Sequence, residues 1–195
     1  MDEPKLIGQA QEGDLTAYNT LVLHYQDIVY NVALRIMKDP ASAEDATQDA
    51  FISAYKAIKS YRGGSFKSWL LRIVTNTCYD ELRRRKRRPQ SSLDEITEDN
   101  PSASFMADDE AGPEQHRQQV ELVDAVKRCM DELPDDQRIA AVLCDVEGRD
   151  YQEIADITAV SLGTVKSRIS RARSKLRDCL QGFRELIPAE YRLNT

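Results

Sequence analysis

Five apolar residues toward the C-terminal end, Leu162, Val165, Ile169, Ala172 and Leu176, recur at steps of three, four, three and four. Only an α-helix brings such a series to one side, as a narrow stripe that packs inward. The other positions carry Lys166, Arg168, Arg171, Arg173, Lys175 and Arg177 with no acidic residue among them, in a 195-residue chain whose formal net charge is -6. A helix that is apolar on one side and cationic elsewhere suits phosphate. Ser161 is placed to cap it, and Asp150 with Glu153 has capping-box spacing for a shorter helix before it, packed through Tyr151, Ile154 and Ala155. The stretch from Asp150 to Arg177 thus reads as a helix-turn-helix, whose second helix enters the DNA major groove. A basic amphipathic helix can also be a merely solvated face. The order E-I-A, turn, S-x-G-T-V-K-S-R favours the groove, because the small Gly163 and Thr164 leave room for close approach. The turn Thr158-Ala159-Val160 lacks the glycine common at such corners.

The rest of the chain is also helical in period, so the expected fold class is all-α, with two small helical domains. A short helix is expected over Lys5 to Glu12, then a core helix on which Tyr18, Leu21, Val22, Tyr25, Ile28, Val29, Val32, Ala33 and Ile36 keep helical spacing until Asp39-Pro40. Ser42 opens the next, with Ala46, Ala50, Phe51, Ala54, Tyr55 and Ile58 inward and Asp45, Gln48, Asp49 and Ser53 along another edge. A Tyr61-to-Ser65 loop follows, marked by Gly63 and Gly64. Phe66, Trp69, Leu70, Ile73, Val74, Thr77 and Leu82 then carry a helix that runs into six consecutive cations, Arg83 to Arg88, a nucleic-acid patch or a solvated run. Its tryptophan reads as packed core rather than a base-stacking platform.

Between Pro89 and about residue 117 the chemistry reverses. Eight carboxylates appear between Pro89 and Gln115 without a basic residue, among Ser, Gly and Pro, which describes a flexible acidic linker. A second domain is expected over 118–180, its first helix packing through Leu122, Val126, Cys129 and Leu133, followed by one that begins at Pro134 and carries Ile139, Val142, Leu143 and Val146. The tail 181–195 is weakly informative. Cys78, Cys129, Cys144 and Cys179 are far apart with no C-x-x-C pair, and the only histidines are His24 and His116, so no metal site and no cofactor is expected. Four unpaired thiols suit a reducing compartment. The N-terminus MDEPK has no apolar run and nothing in the chain is of membrane-spanning length, so a soluble cytoplasmic protein with no membrane insertion is expected. No nucleophile has a candidate base, so it is not expected to be an enzyme.

Two segments together, EDATQDAFISAYKAI followed by FKSWLLRIVTNTCYDELRRRKR, and LPDDQRIAAVLCDVEGRDYQEIA with SLGTVKSRISRARSKLR, resemble the two domains of the extracytoplasmic-function group of bacterial sigma factors, in that order. The resemblance implies a sigma region 2 domain over 1–88 and a sigma region 4 domain over 118–180. It implies binding to the clamp coiled coil and flap of core RNA polymerase, the former through Asp45, Gln48, Asp49 and Phe51, and recognition and opening of a minus-10 element. The minus-10 contacts it implies are Tyr61, Gly63, Ser65, Asn76, Asp80, Arg83 and Arg84. Minus-35 contacts would come from Thr164, Lys166, Ser167, Arg168 and Arg171, with Thr164 holding phosphate. An anti-sigma factor is a further implied partner. Two rival readings stand beside it: a stand-alone helix-turn-helix activator or repressor, which leaves the N-terminal motif unexplained, and an adaptor between proteins, which leaves the basic helix unexplained.

Overall fold

A computed structural model describes residues 1–87 and 113–187. The described residues are helical with no strand: α1 (Glu3–Gln11), α2 (Leu15–Met37), α3 (Pro40–Ala57), α4 (Phe66–Arg87), α5 (Pro113–Asp131), α6 (Asp135–Ala141), α7 (Tyr151–Thr158) and α8 (Leu162–Gln181). A 3₁₀ turn, Ile58–Ser60, follows α3, and a π-helical turn, Val142–Val146, follows α6. The acidic stretch from Pro89 to Gly112, Arg88 and the tail after Ile187 lie outside the described residues.

Helix boundaries follow their caps. The Asp14 carboxylate accepts from the amides of Thr16 and Ala17, which starts α2. Lys38 closes it in the left-handed region, at φ 75°. Here the expected start of α3 is corrected: Asp39, not Ser42, is the cap, accepting from the Ser42 amide at 2.7 Å, and Pro40 occupies the first helical turn where its missing N–H costs nothing. Asp150 and Glu153 form the expected capping box at α7, and Ser161 caps α8 by accepting from the Thr164 amide. Ala159 makes the helix-turn-helix corner in the left-handed region, at φ 53°, which an alanine adopts at a cost of roughly 1 kcal/mol.

The first four helices form one bundle and α5–α8 a second, but a single apolar cluster runs through both. It extends from Ile7 and Leu21 through Phe66 and Val74 to Ile139, Leu143, Ile154 and Val165. Most stripe residues lie where the period puts them. Tyr55, Leu162, Val126 and Val146 do not: each is more than a third exposed, Ala125 is buried in place of Val126, and Val146 ends the π-helical turn that interrupts the single helix expected from Pro134. The first three sit at a margin of their stripe, where one residue of rotation decides between core and solvent. The expectation that α5 begins near Gln118 is also corrected, since Pro113 starts it five residues earlier.

Arg138 on α6 is the largest fully buried side chain. Its guanidinium donates from Nε (3.2 Å) and Nη2 (2.7 Å) to the carbonyl of Ile36, from Nη1 (2.9 Å) to that of Leu133, and from Nη2 to the Asp135 carboxylate (2.7 Å). Ile36 is in the last turn of α2, whose carbonyls have no partner within the helix. A cation of the second bundle therefore caps a helix of the first. Lys38 donates to the Asp131 carbonyl, Lys86 pairs with Asp135 at 2.8 Å and Lys67 with Glu147 at 3.3 Å across the same seam. Ser68 on α4 donates to Glu153 and accepts from Arg149, which ties α4 to the start of α7.

The four cysteines are not all free thiols. Cys129 and Cys179 are joined by a disulfide, with Cα atoms 5.7 Å apart. Their separation of 50 residues conceals that the far end of α8 runs back beside α5, where helix packing brings them together. Cys78 is buried and its thiol is pushed up to about 12 by that burial, while Cys144 is half-buried.

Candidate nucleic-acid and protein-binding interfaces

α3 carries its alanines, Ala43, Ala46, Ala50 and Ala54, against the core, and this small-residue face lets α2 approach closely. The opposite edge presents Asp45, Gln48 and Asp49 to solvent, with Phe51 half-buried beside them. Between α2 and α3 a cleft of about 360 Å³ is lined by Val22, Gln26, Asp27, Tyr30, Glu44, Thr47, Gln48 and Phe51. The cleft joins Gln48 and Phe51 but not Asp45 or Asp49, and it adds Asp27 and Glu44, which sequence reasoning missed. Their signal is faint, because Asp27 interrupts the apolar series of α2 as any solvated residue would. The groove is acidic at its rim and apolar at its floor, which fits a basic, amphipathic helical partner.

Along α4, Asn76, Asp80 and Arg83 follow one another at steps of four and three and are exposed, so they share a face. Arg72, one turn earlier, extends that face and was also missed. The Arg83 guanidinium lies 5.9 Å from the centre of the Tyr79 ring. Arg84 pairs with Glu81 at 2.6 Å, and Arg85 reaches Glu81 at 3.1 Å and Asp39 at 3.4 Å. The cationic run is thus divided, since acids on neighbouring turns engage part of it. At the head of α4, Ser65 accepts from the Ser68 amide as a cap. Tyr61 is buried against Phe66 and Trp69, and its hydroxyl donates to the Gly64 carbonyl at 2.7 Å, so it holds the loop from beneath. Gly63 and Gly64 adopt φ 97° and 95°, a region open to glycine. Trp69 is half-buried in the same ring cluster, 5.3 Å from both Tyr61 and Phe66.

On α8 the apolar stripe Val165, Ile169 and Ala172 is buried, and the line farthest from it is small: Gly163, Ser167, Ser170 and Ser174. Cations flank this line on both sides, Lys166, Arg173 and Arg177 along one and Arg168, Arg171 and Lys175 along the other. Such a profile admits a groove floor at its centre and meets a phosphate wall on each flank. Lys166 and Arg171 are exposed. Arg168 is held differently, donating to Asp136 at 3.1 Å with its side chain mostly covered, and Arg173 pairs with Asp145. Thr164 is half-buried and shares a hydrogen bond with Ser161, and Ser167 donates back to the Thr164 carbonyl. Among the described residues no group of His, Cys, Asp or Glu is arranged to hold a metal ion, and no helix is long and apolar enough to cross a membrane.

The same two stretches match known families. Residues 21–88 match the model of Sigma-70 region 2, and residues 124–176 that of Sigma-70, region 4. The chain is 38% identical over 185 residues to the RNA polymerase sigma-H factor of Pseudomonas aeruginosa, covering 92% of this chain and 94% of that one. It is 38% identical over 166 residues to the ECF RNA polymerase sigma factor SigE of Mycolicibacterium smegmatis, where the match spans 85% of this chain but only 62% of the relative's length. In three dimensions it is similar to the sigma factor RpoE solved in complex with the anti-sigma factor NepR from Bartonella quintana, with a TM-score of 0.64, 25% identity, and coverage of 86% of this chain and 98% of that one. An acid-rimmed α2–α3 groove, a polar ladder beside a glycine loop and a cation-flanked helix α8 thus occur in a chain that belongs to the extracytoplasmic-function group of sigma-70 factors of bacterial RNA polymerase.

Proposed function

We propose that this chain directs core RNA polymerase to promoters by three surfaces. The α2–α3 groove, through Gln48 and Phe51, and the exposed edge of α3 beside it, through Asp45 and Asp49, dock the polymerase clamp. The Gly63–Gly64 loop and the Asn76, Asp80 and Arg83 face of α4 recognise and hold open the minus-10 element, with Arg84 on backbone phosphate. α8 reads the minus-35 element through Lys166 and Arg171 in the major groove, joined by Ser167 and, once Asp136 lets go of it, by Arg168. Thr164 holds phosphate.

The observation that carries this reading is the coexistence of the two nucleic-acid surfaces in one chain. A ladder of amide, acid and arginine beside a glycine loop suits unpaired bases, and a cation-flanked helix with a small-residue centre suits duplex. Melting one element while gripping another as duplex requires both. Such work is done by binding alone, with polymerase supplying the chemistry, and it belongs in the cytoplasm. The complex of the Bartonella quintana relative supports an anti-sigma factor as a further partner.

Run-off transcription with purified core polymerase and a library varied at both elements is the direct test. Promoter-dependent transcripts are expected. Asp49→Arg, at an exposed position, is expected to abolish them while leaving the melting temperature within about 2 °C. Tight, sequence-specific duplex binding without core, or full activity of Asp49→Arg, would overturn the reading.

A further inference from the structure

Helix α1 lies outside the region 2 match at residues 21–88, yet it forms one wall of a cleft at the glycine loop. The cleft measures about 490 Å³, with Glu3, Gly8 and Gln11 on the α1 side and Tyr61, Gly63 and Gly64 opposite. That volume lies in the range of small-ligand sites.

Gln11 ties the two walls together. Its Nε2 donates to the Ile58 carbonyl at 3.0 Å and to the Tyr61 carbonyl at 2.9 Å, across almost 50 residues of sequence. These carbonyls belong to the first residue of the 3₁₀ turn and the first residue of the loop, so they bracket the turn. Both amide protons of the carboxamide are thereby used. Tyr61 in turn fixes the far side of the loop through Gly64. One side chain of α1 thus sets where the loop begins, and a tyrosine below sets where it returns. Gly63, at positive φ, lies between these anchors and Gly64, also at positive φ, carries the second of them; a Cβ added to either would meet no atom within 4 Å. A glycine pair held at both ends is a way to preset an opening that the backbone alone would leave variable.

We propose that Gln11 is a positioning residue for promoter opening: it fastens the Tyr61–Gly64 loop to α1 so that the cleft between them accepts one unpaired minus-10 base. This rests on the minus-10 role proposed above. Gln11 acts through the loop, so its loss degrades discrimination at one base and not the affinity of the chain for core.

The test uses the full chain assembled with core polymerase on promoters carrying a pre-opened minus-10 segment. Gln11→Ala is expected to lower the preference for the favoured base at one minus-10 position by about tenfold, the equivalent of one to two neutral hydrogen bonds. Preferences at the other minus-10 positions and at minus-35, and affinity for core, are expected to stay within about twofold. Gln11→Glu, which cannot donate and sets an anion against two carbonyls, is expected to do at least as much. Equal losses at every position, or no loss, would overturn the proposal. A second measurement needs no variant: a photoreactive base placed in turn at each minus-10 position of single-stranded DNA in the wild-type holoenzyme is expected to crosslink to Pro4–Gln11 from one position. Absence of any α1 crosslink alongside crosslinks to α4 would overturn the proposal and leave the minus-10 role standing. Absence of promoter-dependent transcription by the wild-type chain would remove both.

Discussion

Replacing Arg138 by methionine keeps most of the buried volume and removes five donors. The Ile36 carbonyl loses both of its guanidinium contacts, the Leu133 carbonyl loses one, and Asp135 retains only Lys86 at 2.8 Å. A hydrogen bond to a charged group contributes about 1.5–3 kcal/mol, and removing one member of a buried pair costs about 3–5 kcal/mol. We take the second range for the whole change, because water can reach Asp135 but not the two carbonyls. About half of it belongs to the seam between the bundles, where the Ile36 carbonyl is the acceptor. For a chain of this size each kcal/mol shifts the melting temperature by about 2–4 °C, so a fall of about 10 °C is expected. Differential scanning calorimetry reads that fall. Small-angle scattering reads the seam: a compact chain of 195 residues has a radius of gyration near 16 Å, and Arg138→Met is expected to exceed that as the bundles separate. Lys38→Ala, which removes an exposed contact to the Asp131 carbonyl, is expected to cost less than about 1 kcal/mol. A change below about 2 °C for Arg138→Met with unaltered scattering would refute the reasoning, since it would show that the buried guanidinium is neither cap nor clasp.

Arg171→Ala should relax preference at one minus-35 base pair by about 1–3 kcal/mol, whereas Arg177→Ala should lower the salt slope by about one unit and leave preference unchanged; equal effects in a binding titration would show that α8 only positions the domain. Burial pushes the Asp39 and Asp135 carboxyls up, but hydrogen bonds and charge from Ser42 and Arg85, and from Lys86 and Arg138, outweigh it and hold both below the usual carboxylate range. A carboxyl depressed in the folded state stabilises above its unfolded value and loses that contribution as pH falls through its folded value, so urea midpoints should drop below about pH 4, less steeply in Asp135→Asn. Reduction of Cys129–Cys179, which closes a loop over a 50-residue separation, should lower stability by up to about 4 kcal/mol, and thiol titration of the unfolded, unreduced chain should find two free thiols rather than four. Ala159→Gly should stabilise the corner by roughly 0.5–1 kcal/mol in the same urea assay.

Much of this was legible in the sequence where a physical signal is local. The 3.6-residue period located the helices, and the Asp150–Glu153 box and the Ser161 cap fixed the start of α7 and α8 to the residue. Asp39 was misread because a Pro at the first helical position looks like a stop until the cap before it is recognised. What escaped is non-local. Nothing near Cys129 announces Cys179, and nothing near Arg138 announces Ile36 across more than 100 residues. The assigned faces show the same division. Asn76, Asp80 and Arg83 share a face because spacing demands it, while the engagement of Arg168 by Asp136 depends on how α6 lies beside α8.

The clasped bundles also set a problem of length. Elements named minus-10 and minus-35 lie about 25 base pairs apart, roughly 85 Å of duplex at 3.4 Å per step. Two bundles sharing one apolar cluster cannot straddle that distance, so reading both elements at once means parting at the seam. Between the described parts lie the 25 residues 88–112, and a chain of that length fully stretched reaches about 85 Å as well. Helices α4 and α8, about 33 and 30 Å long at 1.5 Å per residue, add their own length to that reach. Opening the Arg138 clasp is then a free-energy cost borne by every promoter engaged.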